Sequence, residues 1–462
     1  MKKNFNSRYR KWGEEQPYIP LGKFKLRLPF IHYRFELPEF IQGLVLMAVS
    51  LSATAPIMEG MALVDLFDGN AALAFQVAVA LVMINAIILV LHATLGDPIF
   101  PGWITPAIPL TLAYLAQFGD DPIARLHALR AFQYTIFFVF IIFGITGMAS
   151  KIISILPTSI KSGVLLGAAI VAVQSTIRPG GRMEGTEIST VAGLIVTFLV
   201  LYSIHYRNAA SKSKILKQIG QYGLLPGIIT AMIIGTLIGE LPMPSIEWGF
   251  TPLPFAETFA ALSVFTNGFP PLTYFIYSLP LVIAAYIISF GDIITAEAIF
   301  KESGESRKDE KIVFNPSITH LVLGIRNLIQ ATIGPFVPIS GPLWTGAMVA
   351  TVERYKTGHK QMDSIFGGVI WCSLGIVVAL SLAFIVTGLE PVLPIAMSLT
   401  MIVTGWAAGY IAIQMVKTKE EQGIAILVGC AIAFQGAAVG LVVGLICHLV
   451  IGVVKEEKLN SP

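Results

Sequence analysis

Two carboxylates interrupt a long apolar run of the chain. Between 272 and 300 the charged residues are Asp292 and Glu297, and Lys301 follows directly after the run. If this run crosses a membrane as a helix, Asp292 lies roughly 14 Å from Lys301, near the middle of a hydrocarbon core of about 30 Å. A carboxylate at that depth is costly unless it faces a wet cavity, has a partner or is protonated. Asp292 is therefore predicted to bind a solute, a proton or another cation.

The residues that share a helical face with Asp292 are small and polar. Ser289 and Thr295 lie three residues before and after it, so we expect both to line the same cavity. Glu297 is either a second coupling carboxylate or a solvated residue at the inner mouth. The alternative interpretation is structural, with Arg326 in the next apolar run as the partner of Asp292 in a buried ion pair.

Two segments are unusually rich in proline. Residues 97–118 contain four prolines and residues 334–353 contain three. Because proline removes an N–H and clashes with the preceding turn, each segment is predicted to be a short extended stretch that leads into a half-helix. A half-helix presents free N–H groups and the positive end of its dipole, which favour anionic or acceptor groups. The alternative is a pair of re-entrant or proline-kinked structural elements.

The two proline-rich segments are predicted to enclose a binding site. Interrupted segments at matching positions of two halves are typical of a transporter site near the middle of the membrane. Trp344 is a candidate stacking surface for a planar solute. The candidate hydrogen-bonding residues are Thr105, Ser340, Gly341 and Thr345.

The composition indicates a membrane protein. Of 462 residues, 55% are hydrophobic and 13% are charged, and the mean hydropathy is +0.75. An average soluble domain carries about 25% charged residues. This balance excludes an ordinary soluble enzyme, a disordered chain and a nucleic-acid-binding protein.

About fourteen apolar segments have the length needed to cross the bilayer. We place them near 38–60, 71–95, 102–118, 128–149, 160–177, 187–205, 221–241, 272–300, 317–334, 342–353, 363–388, 391–415, 420–436 and 437–454.

The positions of the proline-rich segments imply an inverted repeat. They are the third and tenth spans, so seven spans separate them. Because seven is odd, the second set of seven spans enters the membrane from the opposite face. The predicted fold is an all-α polytopic membrane protein with a seven-plus-seven inverted repeat.

Basic residues set the predicted orientation. Lys and Arg concentrate in the first 37 residues and in alternate loops, so both termini are predicted to be cytoplasmic. Four arginines in the outer loops are exceptions to this alternation: Arg125, Arg130, Arg178 and Arg182. The predicted organisation begins with a cytoplasmic N-terminal segment (1–37) and a first seven-span repeat (38–241). An extracytoplasmic loop (242–271) leads to the second, inverted seven-span repeat (272–454), and a cytoplasmic tail (455–462) follows.

Other kinds of chemistry have no motif in this sequence. There is no nucleophile–base pair, metal cluster or phosphate loop to indicate an enzyme, and no GxxxxGK[ST] motif to indicate an ATP-driven pump. We therefore expect no enzymatic activity, no cofactor and no metal.

The spans around Asp292 and Trp344 resemble the nucleobase/ascorbate transporter family, which includes the xanthine/uracil permeases. That family carries Glu-x-x-Gly-Asp or Glu-x-x-Gly-His in span eight, and this chain has the run Ile288–Asp292, in which Gly291 and Asp292 match. Span ten of the family carries Gln/Glu-Asn-x-Gly-x-x-x-x-Thr. This chain matches its glycine and threonine within the run Leu343–Thr351 and departs from it at the first two positions.

The resemblance implies more than the residues alone. It implies a seven-plus-seven fold, shared with sulfate permeases and bicarbonate transporters. A core domain of spans one to four and eight to eleven would move against a gate domain formed by the remaining spans. It also implies a permease in the plasma (inner) membrane, often a homodimer.

The predicted function is secondary active transport by alternating access. The solute is expected to be small and planar or anionic, nucleobase-like by resemblance, and moved by symport with H⁺ or Na⁺. Two alternatives stay open: a sulfate-permease-like transporter of inorganic or organic anions, and an uncoupled channel or facilitator.

Overall fold

A computed structural model of the protein describes residues 8–148, 151, 156–222 and 224–451. The predicted tail at 455–462 lies outside these residues. The main helices are α1 (Leu37–Gly60), α2 (Ala71–Leu95), α3 (Thr105–Ala116), α4 (Pro122–Thr146), α5 (Thr158–Ile177), α6 (Glu187–Tyr202), α7 (Leu225–Ile238), α8 (Leu272–Ser306), α9 (Pro316–Ile333), α10 (Thr345–Lys356), α11 (Ile365–Leu380), α12 (Ala383–Met415), α13 (Lys419–Gln435) and α14 (Ala437–Ile451).

Short helices and strands complete the described structure. Further helices span Leu63–Leu66, Ile204–Ala210, Lys214–Gln221, Phe255–Leu262 and Val264–Asn267. Four strands form two antiparallel pairs, β1 (Ile19–Leu21) with β2 (Phe24–Leu26) and β3 (Gly102–Trp103) with β4 (Ser340–Gly341).

Local sequence signals explain several helix boundaries. Asp121 accepts hydrogen bonds from the first N–H groups of α4, and Asn315 and Ser364 do the same for α9 and α11. Thr418 and Glu421 form a capping box at the start of α13. These polar residues separate apolar runs, which is why most predicted spans end within a few residues of the observed helices.

One predicted boundary is wrong. The eleventh span was expected at 363–388, but α11 ends at Leu380 and α12 begins at Ala383. The residues between them are apolar or small, so no composition change marks the turn. The turn is made by a tertiary contact, since Thr251 donates its N–H to the carbonyl of Ser381 and Phe250 forms a β-bridge with Leu382.

Six of the described helices are long and apolar enough to cross a membrane by themselves, and eight crossings result if each of two bent helix pairs counts as one. Helices α3, α11 and α14 are shorter and apolar. Length and apolarity therefore agree with the predicted polytopic architecture.

The packing follows the predicted sevenfold shift. Helix α1 packs on α11, and α8, seven helices later, packs on α4. The contact of α2 with α11 corresponds in the same way to the contact of α9 with α4. The contact of α6 with α7 corresponds to the contact of α13 with α14. Each pair maps onto the other when its members are shifted by seven positions, as an inverted repeat requires.

The helix contacts fall into two groups. In the first, α1, α2 and α11 pack together, α8 and α9 pack on α4, and α2 contacts α9. In the second, α12, α13 and α14 pack on α5, and α6 packs on α7 and α12, while α8 also contacts α5 and α14 across the two groups. The α1–α11 contact is especially close. A Cβ at Gly43 would lie 2.0 Å from the carbonyl oxygen of Cys372, and one at Gly375 would lie 2.2 Å from that of Phe40. Glycine at both positions lets the two backbones meet.

The N-terminal segment, residues 8–36, is folded against loops from the second half of the chain. Arg10 is buried and forms ion pairs with Asp309 at 2.7 Å and with Asp363 at 3.3 Å. Arg307 binds the other oxygen of Asp309 at 2.6 Å. Arg27 donates its backbone N–H to the carbonyl of Thr94 in α2. Sequence analysis did not predict this cluster, because its acidic and basic members are hundreds of residues apart.

Candidate functional site

Two extended stretches cross at the centre of the molecule. In β3 and β4, Gly102 is paired with Gly341 and Trp103 with Ser340. Beyond this pair of strands, Trp344 donates its backbone N–H to the carbonyl of Phe100 at 2.9 Å. A Cβ at Gly341 would lie 2.6 Å from the backbone nitrogen of Ile104, so glycine is needed for this approach. We call this β3–β4 contact the crossing.

A half-helix starts on each side of the crossing. Helix α3 begins at Thr105 and helix α10 at Thr345. Their N-cap residues are Ile104 and Trp344, and neither supplies a side-chain hydrogen bond to the first turn. At α10 the N–H groups of Thr345, Gly346 and Ala347 thus stay available in the described structure. The start of α3 offers only the N–H of Thr105, because Pro106 has none and Ala107 and Ile108 donate within the turn. The positive ends of two helix dipoles lie beside these groups. The predicted extended stretches and half-helices are confirmed.

Aromatic rings lie beside the two helix ends. The ring of Trp344, which sequence analysis selected, lies 6.3 Å from that of Trp103 at an interplanar angle of 21°. Phe100 contacts Trp344 edge-on at 5.9 Å, and Phe336 lies 5.8 Å from Trp103. Trp103 was missed by sequence analysis. The signal that could have identified Trp103 is its position: it stands just before α3, as Trp344 stands just before α10.

Helix α8 packs against both half-helices. Asp292 is half-buried on it, and among the described residues it has no hydrogen-bond or ion-pair partner. Thr295 is exposed and donates its hydroxyl to the carbonyl of Gly291 at 3.0 Å. A Cβ on either Gly291 or Gly346, at the start of α10, would meet no atom within 4 Å. This part of α8 therefore borders open space.

The other predicted residues of α8 differ in exposure. Ser289 is buried, and its hydroxyl has no hydrogen-bond partner in the described part of the chain. Glu297 is exposed. Thr105 is half-buried and Thr345 is exposed, at the starts of the two half-helices.

The Asp292–Arg326 ion pair considered above is not formed in the described structure. Arg326 is fully buried and donates hydrogen bonds to the carbonyls of Gly102 and Gly341, both at 3.2 Å. It also contacts His92 Nε2 at 3.3 Å. The acceptors around the guanidinium are therefore one backbone carbonyl from each strand and an imidazole nitrogen, rather than a carboxylate. Arg326 joins the two strands of the crossing.

His92 connects Arg326 to a buried carboxylate. Its Nδ1 lies 2.8 Å from Asp97 Oδ2, and its Nε2 faces Arg326. Because the guanidinium can only donate, we assign the histidine proton to Nδ1, where it is donated to Asp97. A buried chain of three ionisable side chains therefore lies behind the crossing.

The polar groups of β4 are already used within the protein. Ser340 donates its hydroxyl to Gln330 at 3.1 Å, and its carbonyl accepts from Asn327 at 3.3 Å. Gln330 in turn donates to Asn85 at 2.8 Å. Ser340 and Gly341 were predicted to contact solute, but the structure places both among these scaffold contacts, fully buried.

In the described part of the chain, no group of three or more His, Cys, Asp or Glu side chains could hold a metal ion. What the site offers chemically is the free N–H groups at the start of α10, the N–H of Thr105, hydroxyls, aromatic rings and one carboxylate without a partner among the described residues.

No family model matches the sequence, and no curated protein matches it. Solved structures match in fold. The transmembrane domain of a cyanobacterium bicarbonate transporter, BicA, aligns with a TM-score of 0.48 and 16% identity over 91% of this chain and 97% of that one. The structure of SLC26A9 aligns with a TM-score of 0.57 and 12% identity over 90% of this chain and 65% of that one.

The resemblance to the nucleobase/ascorbate transporter family gains no support from these comparisons. Ile288 and Leu343, which stand where that family has polar residues, are both buried at 4% exposure. At these identities the likeness concerns the fold, and the chain is an all-α polytopic membrane protein with a seven-plus-seven inverted repeat.

Proposed function

We propose that the protein is a secondary active transporter of a small inorganic or organic anion. One observation carries this proposal: two half-helices begin on either side of the crossing, and neither has a side-chain cap. Uncapped helix N-termini attract anions through free N–H groups and the helix dipole.

The charge behind the crossing supports an anionic solute. The guanidinium of Arg326 binds the carbonyls of Gly102 and Gly341, while the nearest carboxylate in its network, Asp97, is one imidazole away. Positive charge therefore lies closer to the crossing than the negative charge that balances it. An anion in front of the crossing would benefit from this arrangement.

Asp292 is proposed as the coupling group. It is half-buried on α8, which contacts α10, and has no partner among the described residues. When ionised, it repels an anion in the site; when it holds H⁺ or Na⁺, this repulsion disappears. Anion and cation would then bind together and cross together, which is symport.

During transport, one of the two helix groups would move against the other. The two groups defined by packing coincide with the core and gate domains, once α3 and α10 are counted with the core. Rocking of the core against the gate would expose the crossing to each side of the membrane in turn.

A second candidate solute class is the planar organic anion. The half-buried rings of Trp103 and Trp344 flank the start of α10 and offer faces on which a flat solute could stack. An aromatic carboxylate combines this shape with the required charge.

Purified protein in proteoliposomes tests the proposal. We expect an inward pH or Na⁺ gradient to drive accumulation of one member of a panel of bicarbonate, sulfate, chloride, small carboxylates and aromatic carboxylates, with nucleobases included. The same solute should raise the melting temperature of the detergent-solubilised protein, because it binds the folded state. Accumulation of a neutral nucleobase but no anion contradicts the proposal. Anion flux that never exceeds equilibrium indicates an uncoupled facilitator instead.

A further inference from the structure

Three of the four outer-loop arginines have partners in the protein. Arg125 donates to the carbonyl of Glu59 at 2.9 Å, and Arg182 forms an ion pair with the Glu59 side chain at 2.7 Å. Arg130 is buried and donates to three backbone carbonyls. Arg178 is exposed, and its guanidinium has no ion-pair or hydrogen-bond partner in the part of the chain that the structure describes.

Arg178 lies at one end of an apolar groove. The groove runs between α5 and α6, with α12 as its floor, and has a volume of about 500 Å³. Arg178 follows the last residue of α5 and, with Gln174, supplies the polar part of the lining. The apolar walls are formed mainly by Ala169, Val173, Ile177, Phe198, Ile402 and Trp406. We call this feature the α5–α6 groove.

The groove has the depth of one leaflet. From Ile177 to Ala169 it follows α5 for eight residues, which is roughly 12 Å at 1.5 Å per residue. This is close to half of a hydrocarbon core of about 30 Å. Trp406 contacts Phe198 edge-on at 5.3 Å across the groove. The groove thus runs from a charged residue at the end of a span into the apolar part of the membrane.

The groove lining is partly exposed. Ile177 is 59% and Trp406 53% exposed, on helices long and apolar enough to cross a membrane. Apolar side chains exposed at this depth face lipid chains rather than water. A lipid is therefore the occupant that the surroundings of the groove favour.

We propose that the α5–α6 groove binds a phospholipid of the outer leaflet, with an acyl chain along its apolar walls and the phosphate on Arg178. A guanidinium binds phosphate oxygens through two parallel hydrogen bonds, which suits an arginine that has no protein partner. The apolar lining accepts a hydrocarbon chain without leaving a polar group unsatisfied. This site is independent of the crossing and of the proposed transport activity.

Native mass spectrometry of the full-length protein tests the site, with phosphatidylglycerol as the probe. We expect Arg178→Gln to weaken retention of the most tightly held lipid about tenfold or more, because a charge-assisted hydrogen bond is lost. Arg207→Gln is the matched control, since Arg207 is also exposed and has no side-chain partner in the described structure. It should retain lipid as the wild type does.

A second measurement examines the acyl chain. Phosphatidylglycerol with brominated chains should quench the fluorescence of Trp406, isolated as the difference between the wild type and Trp406→Phe. Val173→Phe fills the groove and should remove this quenching while Arg178 stays in place. Equal lipid retention by wild type and Arg178→Gln, or unchanged quenching in Val173→Phe, overturns the proposal. Loss of dimers in Arg178→Gln with unchanged lipid binding would assign the groove to a second copy of the chain and overturn it as well.

Discussion

Asp292 differs from the other ionisable side chains near the crossing in having no partner among the described residues. His92 contacts both Asp97 and Arg326, and Arg326 also binds two carbonyls. These three side chains are fully or almost fully buried and bonded to one another, and the only atom of theirs without a partner among the described residues is the Nε of Arg326. Asp292 is half-buried instead and has no such contact from the described residues.

The exchange of Asp292 for asparagine should separate binding from coupling. Asparagine is neutral at every pH, like a protonated aspartate, so the site no longer repels an anion and no longer needs a cation. We expect Asp292→Asn to exchange internal for external solute at close to the wild-type rate, yet to lose accumulation driven by a pH or Na⁺ gradient. Both rates are measured in the same proteoliposomes.

Glu297→Gln is the matched control for this experiment. Glu297 lies on the same helix and is exposed, so its exchange should leave gradient-driven uptake intact if it is a solvated residue of the inner mouth. Full accumulation by Asp292→Asn would show that Asp292 is not the coupling group.

At the scale of elements, the crossing depends on glycine. A Cβ at Gly341 would lie 2.6 Å from backbone atoms of Trp103 and Ile104, which cannot move without separating the strands. We expect Gly341→Ala to cost about 1–3 kcal/mol of stability, as overpacking does, and to abolish uptake by misplacing both half-helix ends. Melting temperature and uptake should fall together.

Gly346→Ala tests whether this effect belongs to the crossing. A Cβ at Gly346 meets no atom within 4 Å, and the residue lies in the first turn of α10. Alanine there should be neutral or slightly stabilising, because it favours the helix by up to about 1 kcal/mol. Equal destabilisation by the two exchanges would contradict the role given to Gly341.

The N-terminal segment makes a prediction about acid stability. Burial raises the pKa of Asp309, but the guanidinium groups of Arg307 and Arg10 outweigh this effect and hold the pKa below its usual value. A carboxyl with a lowered folded-state pKa stabilises the fold above its unfolded pKa, about 4, and loses this contribution as the pH falls through the folded value. We expect Asp309→Asn to destabilise the protein by about 3 kcal/mol at pH 7, since it leaves buried arginines unpaired.

The difference between wild type and Asp309→Asn is the informative quantity in melting curves from pH 7 to pH 3. It should stay constant down to about pH 4 and shrink below it, when the wild-type carboxyl becomes protonated. A difference that is the same at pH 3 and pH 7 would mean that the ion pairs of Asp309 contribute no pH-dependent stability.

At the scale of the whole molecule, orientation remains a prediction. The positive-inside pattern places the β1–β2 hairpin inside and the 242–271 loop outside. Lys23 at the hairpin tip and Ser245 in the loop are both exposed, so each position would accept a cysteine. In a variant lacking Cys372, Cys430 and Cys447, a membrane-impermeant maleimide should label Ser245→Cys in intact cells and Lys23→Cys only after the cells are opened. The reverse pattern would invert the topology.

The sequence predicted what depends on local chemistry. Apolar runs bounded by polar caps gave the helices, and the prolines of 97–118 and 334–353 gave the extended stretches. The partners of Arg326 could not be predicted, because the carbonyls it binds become neighbours only when the two stretches cross. The turn at Ser381 was missed for a related reason, since a distant loop makes it.

The distance along the chain between the N-terminal segment and its partners affects how the protein is made. Arg10 and Asp363 are 353 residues apart, and the intervening chain holds the first ten main helices. At a synthesis rate of about 5–20 residues per second, Arg10 waits roughly 20–70 s for this carboxylate to leave the ribosome. Asp309, the other carboxylate paired with Arg10, is made earlier, so the pairing of the N-terminal segment proceeds in two steps and is completed only after ten main helices have been synthesised.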